Sequence, residues 1–245
     1  MKLSDAVYKI YLAAIYIFIM GSPIIVFAIS FNPTTSLSFP PEGFSPRWYE
    51  EFLKDRIFVD SFFRVSLSLA IITSIISVVL GLSSSFVMVR YDFHGKSLVE
   101  SFLLSPMWMP AVLVGLGLLQ FFVLLGIGGS FLALLIGHVL VATPYASRCI
   151  YASLHGFDRS LEEAALSLGA DKIKALLLVT IPMIRPGLIA GMLFSFIRSF
   201  GEITMTLFIT GPRTTTVQVA MFTYLQWEST PVIAAISTVQ SLMVL

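Results

Sequence analysis

Long apolar runs broken by short polar stretches set the pattern of this chain, and their lengths predict helices that cross a lipid bilayer. No charged residue occurs from Ile10 to Pro41, and the apolar part, residues 10–30, matches the ~20 residues needed to span a hydrocarbon core. Further runs cover 65–89, 98–125 (with Glu100 near its start) and 130–150. Two more cover 187–209, which carries Arg198 and Glu202, and 229–245. Only Gly126-Ile127-Gly128-Gly129 separates the third run from the fourth, so these two form a tight hairpin. The first run is too long for the ~7 to 15 apolar residues of a cleaved secretory signal, although Ala28-Ile29-Ser30 offers a rival cleavage site. The prediction is an all-α integral membrane protein with six transmembrane helices in one domain, 1–245. Its longest polar interruption after the fourth span covers 158–182.

Composition agrees. The chain is 57% hydrophobic and 12% charged, with a mean hydropathy of +0.91, which leaves too little polar surface for a soluble globule of this size. A net charge of +1 gives no reason to expect nucleic acid, and the single Cys149 rules out an internal disulfide framework. Lys2, Lys9, Arg90, Lys96, Arg148, Arg159, Lys172, Lys174 and Arg185 fall on one side of the predicted spans. Arg47, Lys54, Arg56, Arg64 and Arg213 fall on the other. The positive-inside rule therefore places the N-terminus and the 158–182 segment in the cytoplasm.

That cytoplasmic segment has its own local logic. Ser160-Leu161-Glu162-Glu163 reads as a capping box, and Leu161, Ala164, Ala165 and Leu168 share one helical face. Gly169 can take the left-handed conformation that ends such a helix, and Asp171 can cap a second one running toward Pro182. The spacing Glu163-Ala164-Ala165, three residues, Gly169, nine residues, then Val179-Thr180-Ile181-Pro182 resembles the EAA loop of permease subunits of ABC-type importers. Val179 and Ile181 stand where the pattern has Ile and Leu. An ordinary helical hairpin is the alternative.

The resemblance implies a type I importer permease fold in which this hairpin, between helices 4 and 5, is the coupling helix. Ser160, Leu161, Glu163, Ala164, Ala165, Leu168, Gly169 and Pro182 would meet an ATP-hydrolysing subunit. It further implies two ATP-binding subunits that hold ATP and Mg, a second permease subunit in a heterodimer, and a solute-binding protein outside. The location implied is a bacterial or archaeal cytoplasmic (inner) membrane. This chain has no Gly-rich phosphate loop, catalytic triad or paired-carboxylate pattern, so it is not expected to be an enzyme or to carry a cofactor. The family commonly ends in a complete span with a short polar tail, so the last run, still apolar at Leu245, is expected to continue in a longer chain.

The polar region between the first two spans, including Pro40-Pro41-Glu42-Gly43-Phe44-Ser45-Pro46 ahead of Trp48-Tyr49, resembles the spermidine/putrescine-type permeases. The tract after Pro46 reads as an amphipathic interfacial helix with Trp48, Tyr49 and Phe52 near the headgroups. A polyamine-like solute is the first expectation. Aminophosphonates, opines, iron and thiamine belong to the same subfamily, and Arg198 followed by Gly201-Glu202 locally resembles oxyanion permeases.

Arg198 and Glu202 lie one helical turn apart inside a span, where charges turn toward protein, a cavity or each other. They either form a self-neutralising structural pair or line the translocation path. His138 has no second ligand at metal spacing and is expected to make an interhelical hydrogen bond. Pro106, Pro110 and Pro144 should kink or break their helices, and Ser83-Ser84-Ser85 and Gly115-Leu116-Gly117 should permit close helix packing. An ion-gradient-driven secondary transporter or channel subunit is the alternative function. It has no need of a Glu-Ala-Ala hairpin.

Overall fold

A computed structural model describes Leu3 to Val244, with side chains from Val7 onward. Lys2, counted in the orientation argument, and Leu245, the end of the sixth run, lie outside the described residues. All regular elements among those residues are helical. In chain order they are α1 (Leu3–Ile29), α2 (Arg47–Lys54), α3 (Arg56–Arg90), α4 (Lys96–Trp108), α5 (Ala111–Leu124) and α6 (Phe131–His155). They continue with α7 (Ser160–Ser167), α8 (Lys172–Met183), α9 (Arg185–Phe200), α10 (Thr206–Ile209), α11 (Val217–Leu225) and α12 (Val232–Val244).

Of these, α3, α6 and α1 from Val7 are long and apolar enough to cross a membrane. Two bent pairs, α4 with α5 and α8 with α9, pass the same test when each is taken as one span, and α12 is shorter.

The helices fall into two compact units. In the first, residues up to Asp60 and from Ala220 onward, α12 packs on α1 and α2. No residue of the most apolar stretch of α1 is buried. The connection after α1 is organised by Asn32. Its amide donates to the Ser36 carbonyl at 2.9 Å, its Oδ1 accepts from Glu42 N–H at 3.3 Å, and its carbonyl accepts from the Trp48 indole at 2.6 Å.

This changes the expected role of α2. Trp48 and Phe52 are buried against protein rather than set among headgroups, because the Asn32 carbonyl supplies the indole with a partner that the sequence pattern did not reveal. The face turned outward carries the pairs Arg47–Glu51 and Glu50–Lys54.

In the second unit, Ser61 to Val219, α6 is the central helix, with α3 and α9 packed along it. Missing side chains permit the close approach. A Cβ on Gly81 would lie 2.9 Å from Ser147 N, and one on Gly191 would lie 3.2 Å from the Ala146 carbonyl. The Ser85 hydroxyl then donates to the Ser147 carbonyl at 2.9 Å. One apolar cluster gathers Leu69, Val114, Phe122, Leu134, Met205 and Ile209, and another gathers Ile150, Leu154 and Ile184. Deleting a large buried side chain from such a cluster costs roughly 2–5 kcal/mol.

Two expected spans are interrupted. Instead of one helix over 98–125, α4 and α5 meet at 103°. Pro110 disfavours helical backbone at Met109, which is extended at ψ 136°. Instead of one helix over 187–209, α9 ends at Phe200 and α10 begins at Thr206. The second expected span gains length, because α3 already begins at Arg56, where the Asp55 carboxylate accepts from Ile57 N–H at 2.7 Å and Phe58 N–H at 3.3 Å.

Candidate functional site

The hairpin of α7 and α8 is built by local chemistry at three points. Its start departs from the expected capping box. Ser160 is the first helical residue rather than the cap, and its N–H donates to the Asp158 carboxylate at 3.0 Å. Asp158 sits two residues ahead, where a short carboxylate satisfies an orphan N–H without needing Glu163 to reach back. That hydrogen bond holds the Asp158 carboxyl below the ordinary carboxylate range.

The end of α7 is a Schellman turn. Gly169 has φ +91°, its N–H donates to the Leu166 carbonyl at 3.0 Å, and Ala170 N–H donates to the Ala165 carbonyl at 3.1 Å. Asp171 then caps α8, accepting from Lys174 N–H at 2.8 Å.

Among the residues expected to dock a partner, Leu161 and Leu168 are exposed, Leu168 to 90%. Ser160, Glu163 and Ala164 are exposed with them, Ala165 is half-buried, and no residue of α7 is fully buried. Apolar side chains left in this way on a short helix form a face with no partner among the described residues. Pro182 is exposed on α8, just before the 68° bend into α9. It follows a π turn over Leu176–Thr180.

The inward side of α7 is held by residues that the sequence named for other reasons and did not bring together. Arg90, the last residue of α3, forms an ion pair with Glu162, with side-chain exposures of 14% and 18%. The Thr180 hydroxyl donates to the same Glu162 oxygen at 2.9 Å, and Arg159 donates to the Val89 carbonyl at 3.2 Å. The Arg90 guanidinium also lies 5.1 Å from the Phe86 ring centre and 6.0 Å from that of Phe157. The available signal was a basic residue closing an apolar run beside a second glutamate next to Glu163. Its partner lay 72 residues away.

Arg198 and Glu202 are not part of this hairpin. They form an ion pair at the break between α9 and α10, with Glu202 only 4% exposed. The other Glu202 oxygen accepts from Met205 N–H at 2.7 Å, and its backbone carbonyl accepts from the Thr206 hydroxyl at 3.2 Å. His138 lies beside them, with Nδ1 2.9 Å from Ser199 Oγ and Nε2 3.0 Å from Thr206 Oγ1. Both ring nitrogens are therefore engaged across helices. Among the described residues no group of three or more His, Cys, Asp or Glu could hold a metal.

Residues 77–245 match the family described as "Binding-protein-dependent transport system inner membrane component". The chain belongs to this family.

The permease is also 34% identical over 203 residues to the putrescine transport system permease protein PotI of Escherichia coli strain K12, covering 80% of this chain and 72% of that one. It is 29% identical over 232 residues to the spermidine/putrescine transport system permease protein PotC of the same strain, covering 94% and 86%. It is 30% identical over 192 residues to the sulfate transport system permease protein CysT of Salmonella typhimurium, covering 72% and 69%.

A bacterial ABC transporter for import of the acidic polysaccharide alginate matches with TM-score 0.61 at 17% identity, covering 100% of this chain and 95% of that one. An amino acid ABC transporter matches with TM-score 0.58 at 19% identity, covering 80% and 92%. The protein is a multi-pass inner-membrane permease subunit of an ABC importer.

Proposed function

We propose that this permease pairs with a second, related permease subunit to form the path of a polyamine-like solute, and that α7 docks on an ATP-binding subunit. In this reading α1, α3, the α4–α5 pair, α6, α9 with α10, and α12 are the six spans, with the N-terminus and the α7–α8 hairpin in the cytoplasm. Two ATP-binding subunits hold ATP and Mg, and an external binding protein delivers the solute. Closure of the ATP-binding subunits displaces α7, and α8 transmits the movement through its bend into α9.

The observation that carries the reading is the exposed Leu161–Leu168 face on a helix capped at both ends. Similarity to permeases named for putrescine and spermidine supports the solute class. The Arg198–Glu202 pair supports a structural reading of that site more than direct solute contact, because both Glu202 oxygens are already engaged within the chain.

Co-purification of the detergent-solubilised permease with the ATP-binding subunits tests the docking. Failure of the wild-type chain to associate, or unchanged association after Leu161→Asp with Leu168→Asp, would overturn it. Uptake of labelled putrescine by vesicles containing the assembled complex tests the solute. Labelled sulfate taken up in its place would assign the oxyanion class instead.

A further inference from the structure

The inward side of α7 carries an inference that rests on the docking reading but concerns where the force goes next. Glu162 is engaged from two directions at one carboxylate oxygen. Arg90 reaches it from the end of α3, and Thr180, itself fully buried, reaches it from the π turn of α8. Arg159 adds a second tie, from α7 to the last turn of α3. The ion pair is mostly shielded from solvent, and the Arg90 guanidinium lies against Phe86 and Phe157. Separating the pair would leave the shielded Glu162 carboxylate without its counter-charge, which is costly.

We infer that Arg90, Glu162 and Thr180 form a clamp joining α7, the end of α3 and the π turn of α8 into one rigid body. A push on the exposed face of α7 is then delivered to two outputs, along α8 toward α9 and directly into α3. Because α3 and α9 both pack along α6, the clamp makes them move together. Arg90, Glu162 and Thr180 are positioning residues. None of them belongs to the exposed docking face.

The test uses the complete complex with its ATP-binding subunits in nanodiscs, in a Cys149→Ser background. Spin labels on Val87→Cys and Ser167→Cys, both exposed, report the distance between α3 and α7 without ATP and after trapping with ATP and vanadate. The clamp predicts one narrow distance distribution, identical in both states. R90Q and E162Q should broaden it and make it depend on nucleotide state. The same variants should still co-purify with the ATP-binding subunits, while vanadate-sensitive conformational coupling to α9 falls at least about fivefold.

The swapped pair R90E with E162R should restore the narrow distribution, which a merely structural loss would not do. Covalent joining of R90C to E162C by a short bifunctional thiol reagent, in a preparation without spin labels, should leave ATP hydrolysis intact. A wild-type distance that changes on trapping, or hydrolysis abolished by the cross-link, would overturn the clamp. Absence of ATP-binding subunits from the purified wild-type complex would instead overturn the docking reading. If R90Q fails to accumulate, the cross-linked pair, in which a covalent bond replaces the ion pair, still decides the matter.

Discussion

The α7–α8 hairpin and the α9–α10 break both interrupt an apolar helical bundle, and both are organised around a glutamate paired with an arginine. In the hairpin the pair lies beneath the helix and joins it to α3, leaving Leu161 and Leu168 exposed on the outside. At the break the pair lies within a single helical turn, and Glu202 also accepts from Met205 N–H, so its acceptor capacity is used inside the chain. The contrast separates two uses of the same chemistry. A charge pair between distant segments can carry displacement, whereas a pair within one turn repairs the backbone where a helix stops.

Removing Glu202 should expose that difference most strongly. Glu202→Ala strands Arg198 in the span and leaves Met205 N–H without its acceptor, so thermal unfolding in detergent should report a loss of about 3–5 kcal/mol. Glu202→Gln keeps an acceptor for Met205 and should lose less. Leu168→Asp on the exposed face of the hairpin should leave that unfolding midpoint in place and, if α7 docks as proposed, weaken association with the ATP-binding subunit by about 2 kcal/mol. This is readable by titration of the purified complex.

Gly169→Ala isolates backbone conformation, since a Cβ there would meet nothing within 4 Å. The cost should be about 1–2 kcal/mol from left-handed geometry alone, seen as faster amide exchange in α7. Asp158→Ala should have the smallest effect, local fraying of the first turn of α7. The lowered carboxyl of Asp158 means that its cap contributes fully above the ordinary carboxylate pKa. The contribution is lost as pH falls through the lower folded value. The protection of the Ser160 amide, its exchange rate normalised to the intrinsic rate at each pH, should fall down an acid series in the wild-type chain and show no such step in the variant.

Much of the hairpin was legible in the sequence because its chemistry is local. Gly169 and Asp171 act within a few residues of themselves, and the apolar positions of α7 follow the helical period. Asp158 was missed because Ser160 and Glu163 offered a capping pattern two residues later. The Arg90–Glu162 pair was illegible because it joins segments far apart in the chain, and no periodicity encodes such a contact. Pro110 announced a helix break but not its 103° angle. The gap between α9 and α10 had only Gly201 as a signal, and the carboxylate that stabilises it looked equally suited to a solute path. Trp48 was misplaced for a similar reason, because the Asn32 carbonyl that draws it inward lies in a proline-rich connection without periodicity.

The π turn at Leu176–Thr180 makes the hairpin sensitive to chain length as well as to side-chain chemistry. One extra residue is accommodated in that turn, and each residue of a regular helix advances the side-chain direction by about 100°. Inserting one residue more than the wide turn absorbs should carry Thr180 around the axis and away from Glu162. Insertions and deletions in this short stretch are thus tuning steps for the linkage between α7 and α8, and they can alter it without changing a single charged residue.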